Sequence, residues 1–481
     1  MQTVQLHDTL SRQLKPLQPE RPDHYRMYVC GPTVYGPAHI GNFITFVRFD
    51  VLYRLLKAAG YNPLYVRNIT DVDDKTIKGA LESGKSLEEF TSHWTDKFQT
   101  DCRRLNLLTP DVEPRATEHI AEQLEMIQKL MDKGFAYVGG DGSVYYKVSH
   151  FKGYGKLSHF DPEALLSQST NSAGSANLAD EYERDAVADF ALWKAHKDSD
   201  GPVAWDSPWG RGRPGWHLEC SAMSIRYLGE TFDLHGGGED LCFPHHENEI
   251  AQSEAATGKP FARHWMHGVH LLVEGKKMSK SLGNFFTLDD LIEKGFEPME
   301  IRLGMLGGHY RQQFNFTLGG LNAARAALGK LGRGYARLLE KAGESVEDSK
   351  AIPQSLDTPL DDFGAFTAAW DAIRKDLNTP AALGALHTGL KAALAANSGD
   401  AQRDLQAFRK LLAVLGLEVQ PETDKAPASE VPAEIQQLAE RRWQAKKDRD
   451  FATADSLRNE LQQAGWTVVD QKDGFELKAN T

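Results

Sequence analysis

The stretch from Arg26 to Arg67 constrains the fold most. Arg26-Met-Tyr-Val-Cys30 is a short apolar run that ends at Gly31-Pro32, the pattern of a buried strand leaving a sheet. After Pro37 apolar residues recur at helical spacing, and the run closes at Gly60, a residue suited to ending a helix. Pro63-Leu-Tyr-Val-Arg67 then reads as a second strand. Strand, glycine-containing turn, helix and strand form the unit of a parallel sheet, joined by a right-handed crossover. The N-terminal part of the chain is therefore expected to be α/β.

Further along, a helical stretch (118–133) and strand-like runs near 135–138 and 143–148 continue the mixed character. Residues 158–214 carry Ser, Asn, Gly and Asp clusters without a sustained period, and read as an insertion or a set of long loops. Beyond about 296 the segments 318–342, 363–397 and 400–417 are rich in Ala and Leu at helical spacing, as in a helical bundle. Residues 418–432 have the Pro, charged and small residues of a linker; a charged helix (433–463) and the strand-like Trp466-Thr-Val-Val469 follow. The expected domains are 1–295, with an insertion at about 115–214, then a bundle (296–417), the linker and a small α+β unit (433–481).

A chain of 481 residues is too long for one ordinary core, in keeping with several domains. It has no apolar run of roughly 18 residues or more, so no membrane span is expected. The N-terminus lacks the apolar region of a signal peptide. Four cysteines are too few for a disulfide framework in a chain this long, and fit reduced thiols in the cytosol. The net charge of −12 argues mildly against nucleic acid as partner, yet a local basic face can sit on an acidic protein, so composition leaves the partner open.

Three constellations carry chemistry. Pro37-Ala-His39-Ile-Gly41-Asn42 lies where a strand hands over to a helix, whose N-terminal amides and dipole suit a phosphate. Gly41 permits close backbone approach, and His39 and Asn42 offer hydrogen-bond donors; a plain helix cap is the bland alternative. Lys277-Met-Ser-Lys280-Ser281 places two lysines on a loop of small polar residues, a mobile clamp for charge on a departing phosphate, or else solvated surface charge. Cys30, Cys220, His245 and Glu249 form the third. A helix starting after Pro244 would set His245 and Glu249 on one face, and all four side chains are competent zinc ligands. From spacing alone they could equally be buried thiols beside ordinary helix-terminal residues.

Together, the His39-Ile-Gly-Asn42 element and the lysine loop resemble the class I aminoacyl-tRNA synthetases, with Asn42 in place of the usual second histidine. Met27 to Tyr35, Tyr65 to Asp71, Gly215 to Met223, His235 to Leu241 and Phe243 to Ser253 closely resemble the cysteinyl-tRNA synthetase family. The resemblance extends to Asp376-Leu-Asn-Thr-Pro380 and to Lys447 to Asp455, and it implies a tRNA-binding bundle at 296–417 and an anticodon-side domain at 433–481. It implies a Rossmann-like parallel-sheet catalytic domain, and zinc held by Cys30, Cys220, His245 and Glu249 to read the thiol of L-cysteine. Thr70, Trp216, His235 and Asp240 match positions around the bound cysteine. Gly236, Gly237 and Gly238 would let ATP, accompanied by magnesium, lie close to the backbone. Lys277 and above all Lys280 would stabilise pyrophosphate departure, while His39 and Asn42 hold phosphates.

The implied reaction is formation of cysteinyl adenylate and transfer of the acyl group to the 3′ end of tRNA(Cys), by a cytoplasmic monomer. Two other readings are a cysteine ligase with an amino-sugar acceptor and a non-catalytic sensor. The first lacks a tRNA-binding C-terminal region, and the second would be expected to lose part of the zinc set or the lysine loop. This chain keeps all of these.

Overall fold

The computed structural model describes residues 1–21, 24–159, 189–279, 282–347, 356–395, 399–422, 433–448, 450–471 and 474–479. The chain divides into two compact units, Met1–Gln420 and Pro421–Thr481.

In the first unit the expected crossover is present. Tyr25–Val29 lies in a four-stranded sheet between Pro63–Arg67 and Leu234–Gly238, with Trp265–Gly268 at the far edge, and every neighbouring pair is parallel. All five residues of Tyr25–Val29 are buried, as a parallel strand covered on both faces requires. The connecting helix, Ile40–Ala58, buries Phe43, Val47, Leu52 and Leu55 in the core. Each such side chain stabilises by about 1.5–3 kcal/mol relative to exposure. Because the strands run the same way, their C-terminal ends open on one edge, and the loops after Val29, Arg67 and Gly238 converge there.

The stretch 158–214 departs from the expectation of loops. Phe190–Ala195 and Gly212–Pro214 are strands, completing an antiparallel sheet with Ala136–Val138 and Val144–Tyr146. Residues 160–188 lie outside the described residues. Short strands hide these elements from a periodicity reading. Gly-Arg-Pro has poor strand propensity yet pairs with Trp193–Ala195, which leaves no room for a side chain at its first position: a Cβ on Gly212 would stand 2.3 Å from the Lys194 carbonyl oxygen.

The Ala/Leu-rich segments form the helices Leu318–Ala342, Thr367–Arg374, Thr379–Ala393 and Ala401–Leu415, which share a core with the parallel sheet. The segment read as helical over 363–397 is broken at Asp376 and Leu377, whose φ angles are +64° and +49°. Asn378 then caps the next helix by accepting from the Ala381 amide. Between sheet and bundle, the fully buried Arg302 donates to Asp50 Oδ2 at 2.5 Å and to the carbonyls of Leu415 and Leu105, both at 2.9 Å. Arg54 bonds the same Asp50 at 2.8 Å and the Ala413 carbonyl.

The second unit has the helices Ala433–Lys447 and Phe451–Gln463 and the hairpin Trp466–Gln471 with Gly474–Ala479. The sequence suggests one helix over 433–463, but Asp450 caps a new helix by accepting from the Thr453 amide and hydroxyl. Ile435, Ala439, Leu461 and Val468 form a core of its own, and Arg442 makes a paired contact to Asp470 at 2.7 and 3.0 Å. Among the described residues no helix is long and apolar enough to cross a membrane.

Candidate active site and metal centre

Three elements bring the four ligand candidates together. Cys30 follows the central strand, Cys220 lies in the helix Trp216–Leu228, and Glu249 lies in the helix Glu247–Thr257 with His245 in the turn before it. All four are buried, and their donor atoms lie within 4.8 Å of one another. The two sulfurs are 3.7 Å apart, Cys30 Sγ is 3.7 Å from Glu249 Oε1, and His245 Nε2 is 3.0 Å from the same oxygen.

The electrostatics suit a cation. Burial pushes the Cys30 thiol well up, helped by its hydrogen bond to Cys220. Burial also opposes ionisation of Cys220, but the Cys30 S–H and the His245 ring outweigh it and bring Cys220 down to about 6. Glu249 is held at about 2 against burial by His235 and His245, and His245 is raised to about 10 against burial by Glu249. Thiolate, imidazolium and carboxylate thus hold one another in place, with protons supplying the positive charge that a divalent cation would displace. Two sulfurs, one imidazole nitrogen and one carboxylate oxygen are a donor set that fits zinc.

A second, overlapping group also lies within 4.8 Å: Cys30, His235, His246 and Glu249. His246 Nε2 is 3.3 Å from Cys30 Sγ, and its Nδ1 is 2.7 Å from His267 Nε2. Sequence reasoning passes over His246 and His267. The doubled His245-His246 was a signal for the first, whereas only the register of Trp265–Gly268 beside Leu234–Gly238 brings in the second.

The proposed cysteine-contacting residues divide. Trp216 lies 4.2 Å, ring to ring, from His245. Fully buried His235 stacks on Trp265 and approaches Glu249 Oε2 at 2.9 Å, so it bears on a ligand candidate. Thr70 is buried and donates its hydroxyl to Glu219. Asp240 is instead exposed, with His270 Nε2 at 3.7 Å. Cys242, half-buried with its thiol pushed up to about 12 by burial, belongs to neither ligand group.

At the phosphate-side motif, His39 and Asn42 cap their own helix. The His39 ring accepts from the Asn42 amide at 3.3 Å, and Asn42 Oδ1 accepts from the His39 amide at 3.1 Å. Asn42 is therefore oriented with its Nδ2 donors turned away from the backbone. Burial lowers His39 to about 4 despite nearby Asp240. The lysine loop rests on this helix end. A Cβ on Gly41 would stand 2.3 Å from Met278 Cε, and the His39 ring meets Phe285 edge-on at 4.9 Å. Lys277 is exposed; Lys280 and Ser281 lie outside the described residues. Buried Asn284 ties the loop, accepting from the Ser279 amide and donating to the carbonyls of Val273 and Lys277.

The glycines at 236–238 have packing reasons of their own. A Cβ would stand 2.3 Å from Phe49 Cζ at Gly236, 2.8 Å from Leu241 Cδ1 at Gly237 and 2.3 Å from Asp240 Oδ1 at Gly238.

Comparison with known proteins places this geometry. Residues 16–326 match the family described as the tRNA synthetases class I (C) catalytic domain, and residues 428–476 match the cysteinyl-tRNA ligase anticodon binding domain. The cysteine–tRNA ligase of Opitutus terrae is 52% identical over 478 residues, 99% of each chain. That of Chlamydia abortus is 43% identical over 484 residues, 99% of this chain and 98% of its own. The Mycobacterium tuberculosis methionyl-tRNA synthetase in complex with methionyl-adenylate shares the fold, with a TM-score of 0.55 at 16% identity over 83% of this chain and 92% of its own. With full-length relatives of this kind and both characteristic domains, the chain belongs to the cysteine–tRNA ligase family of class I aminoacyl-tRNA synthetases.

Proposed function

We propose that this ligase activates L-cysteine with ATP to cysteinyl adenylate and passes the acyl group to the 3′ end of tRNA(Cys), with zinc held by Cys30, Cys220, His245 and Glu249. One observation carries the zinc reading: two sulfurs, a ring nitrogen and a carboxylate oxygen from separate elements lie buried within 4.8 Å of one another. Bound zinc offers a soft acceptor to a substrate thiolate, which a serine hydroxyl, far less acidic, cannot match. Trp216 and Thr70 sit beside the ligand set and serve to orient the amino acid; His235 serves through Glu249.

ATP lies at the N-terminus of Ile40–Ala58, where Asn42 Nδ2, the His39 ring and the Gly41 amide meet phosphate oxygens, with Gly236 to Gly238 lining the approach and magnesium accompanying the phosphates. Lys277 and Lys280 stabilise charge on the departing pyrophosphate, so activation depends on positioning and charge stabilisation. The unit at 421–481 contacts the anticodon side of the tRNA, and the enzyme works as a cytoplasmic monomer.

Cysteine-dependent ATP–pyrophosphate exchange followed by tRNA charging tests the reaction. Exchange without charging would point to another acceptor, and absence of exchange would sink the reading. Lys280→Ala is expected to slow exchange about 100-fold or more, while an unchanged rate would remove Lys280 from the mechanism.

A further inference from the structure

Asn68 follows the strand Pro63–Arg67 at the edge where the ligand-bearing loops converge, and it is 1% exposed. Its carboxamide has a fixed orientation. The Gly31 amide donates to Oδ1 at 2.9 Å, which turns Nδ2 toward Thr70 Oγ1 at 3.2 Å. The same Oδ1 faces Cys220 Sγ at 3.7 Å. One side chain therefore touches the peptide that follows Cys30, the sulfur of Cys220 and the Thr70 hydroxyl.

Thr70 closes a ring by donating to Glu219, the residue before Cys220. Thr70 and Glu219 are 2% and 1% exposed, so no solvent competes for these bonds. Backbone contact stiffens the ring further. A Cβ on Gly31 would stand 1.6 Å from the Asn68 carbonyl oxygen, so the turn after Cys30 lies directly on the Asn68 peptide and only glycine fits.

The two sulfurs lie 190 residues apart in sequence, on a strand exit and a helix. The strand and the helix pack against each other, and a cross-link from outside the ligand set refines the separation of their sulfurs, because metal retention depends on donor placement to within about 0.5 Å. Resting on the zinc reading above, we infer that Asn68 is the positioning residue of this centre, setting Cys30, Cys220 and the Thr70 hydroxyl in one frame. Zinc retention and recognition of cysteine depend on it, and ATP binding at the far end of the sheet edge does not.

Two variants separate the links. Asn68→Asp keeps an acceptor for Gly31 but loses the donor to Thr70 and sets a carboxylate beside the Cys220 sulfur. Thr70→Val breaks the ring beyond Asn68 and leaves the Gly31 and Cys220 contacts intact. The measurements on the full chain are zinc release to a chelator, thiolate-to-metal charge-transfer bands after cobalt substitution, and KM for cysteine and for ATP. Expected for Asn68→Asp are release about 10-fold faster or more, displaced cobalt bands, KM for cysteine raised about 10-fold and KM for ATP within about twofold. Thr70→Val is expected to retain zinc with undisplaced cobalt bands and to raise KM for cysteine. A folded Asn68→Asp protein with wild-type zinc release and cobalt bands overturns the inference, as does equal loss of zinc by Thr70→Val. Should Asn68→Asp not fold, Asn68→Ser is measured in its place against the same two outcomes. Wild-type protein that binds no zinc fails the underlying reading instead, a result distinct from either.

Discussion

Replacing one sulfur tests the centre most directly, because the other three donors are buried and two of them, His245 and Glu249, hold opposite charges. Cys220→Ser is expected to lower zinc content at least 10-fold as measured by atomic absorption, since a serine hydroxyl does not ionise in this range to replace the thiolate. Undiminished metal would contradict the ligand assignment. His39 gives a second residue-scale expectation. Burial lowers it to about 4 from 6.5, so between those values the unfolded chain binds more protons than the folded one. Its contribution is fully present above pH 6.5 and is lost as pH falls through this window. Urea midpoints for His39→Asn, which keeps a capping residue, are expected to fall less between pH 7 and pH 5 than those of the wild type. The ligand residues were legible as types and as a helical i, i+4 pair. That Cys30 and Cys220 share one site came from family resemblance, and His267 and Asn68 needed the fold, because a sheet edge joins residues that no local spacing connects.

The crossover of strand, helix and strand was readable because its periods are long and its ends are marked by Gly31 and Gly60. Short strands set among Gly, Asp and Pro residues were not, as Phe190–Ala195 and Gly212–Pro214 show. Helix breaks at Asp376 and Asp450 were equally hidden, since capping by one polar side chain leaves the apolar spacing on either side undisturbed. Nor does sequence reveal that Arg302 is buried. In the fold it satisfies the Leu415 carbonyl at the end of Ala401–Leu415 while sharing Asp50 with Arg54. Asp50→Ala would leave two buried guanidinium groups without their carboxylate and is expected to cost about 3–5 kcal/mol in urea denaturation. Arg302→Met, which leaves Asp50 paired with Arg54, is expected to cost less. Equal losses would show that Asp50 is not the hub.

Across the whole chain, the candidate active site and the residues that match the anticodon binding domain fall in separate compact units. Cys30, His235 and Asn68, the lysine loop and the bundle all belong to Met1–Gln420, and the second unit has its own core. A chain ending at Gln420 is therefore expected to keep cysteine-dependent pyrophosphate exchange within about threefold and to lose at least about 10-fold in kcat/KM for tRNA charging. Equal loss of both activities would mean that the first unit depends on the second for its own fold.

The pairing of Gly236 with Phe49 constrains how such a chain can change. Phe49 Cζ occupies the place of a Cβ at position 236, so a larger residue there is admissible only after the aromatic ring has shrunk, and neither step is neutral alone. The two positions form a ratchet in sequence space: variation at one waits on the other. A glycine run that invites interpretation as a nucleotide signature is thus, at its first position, the imprint of a helix pressed against a strand.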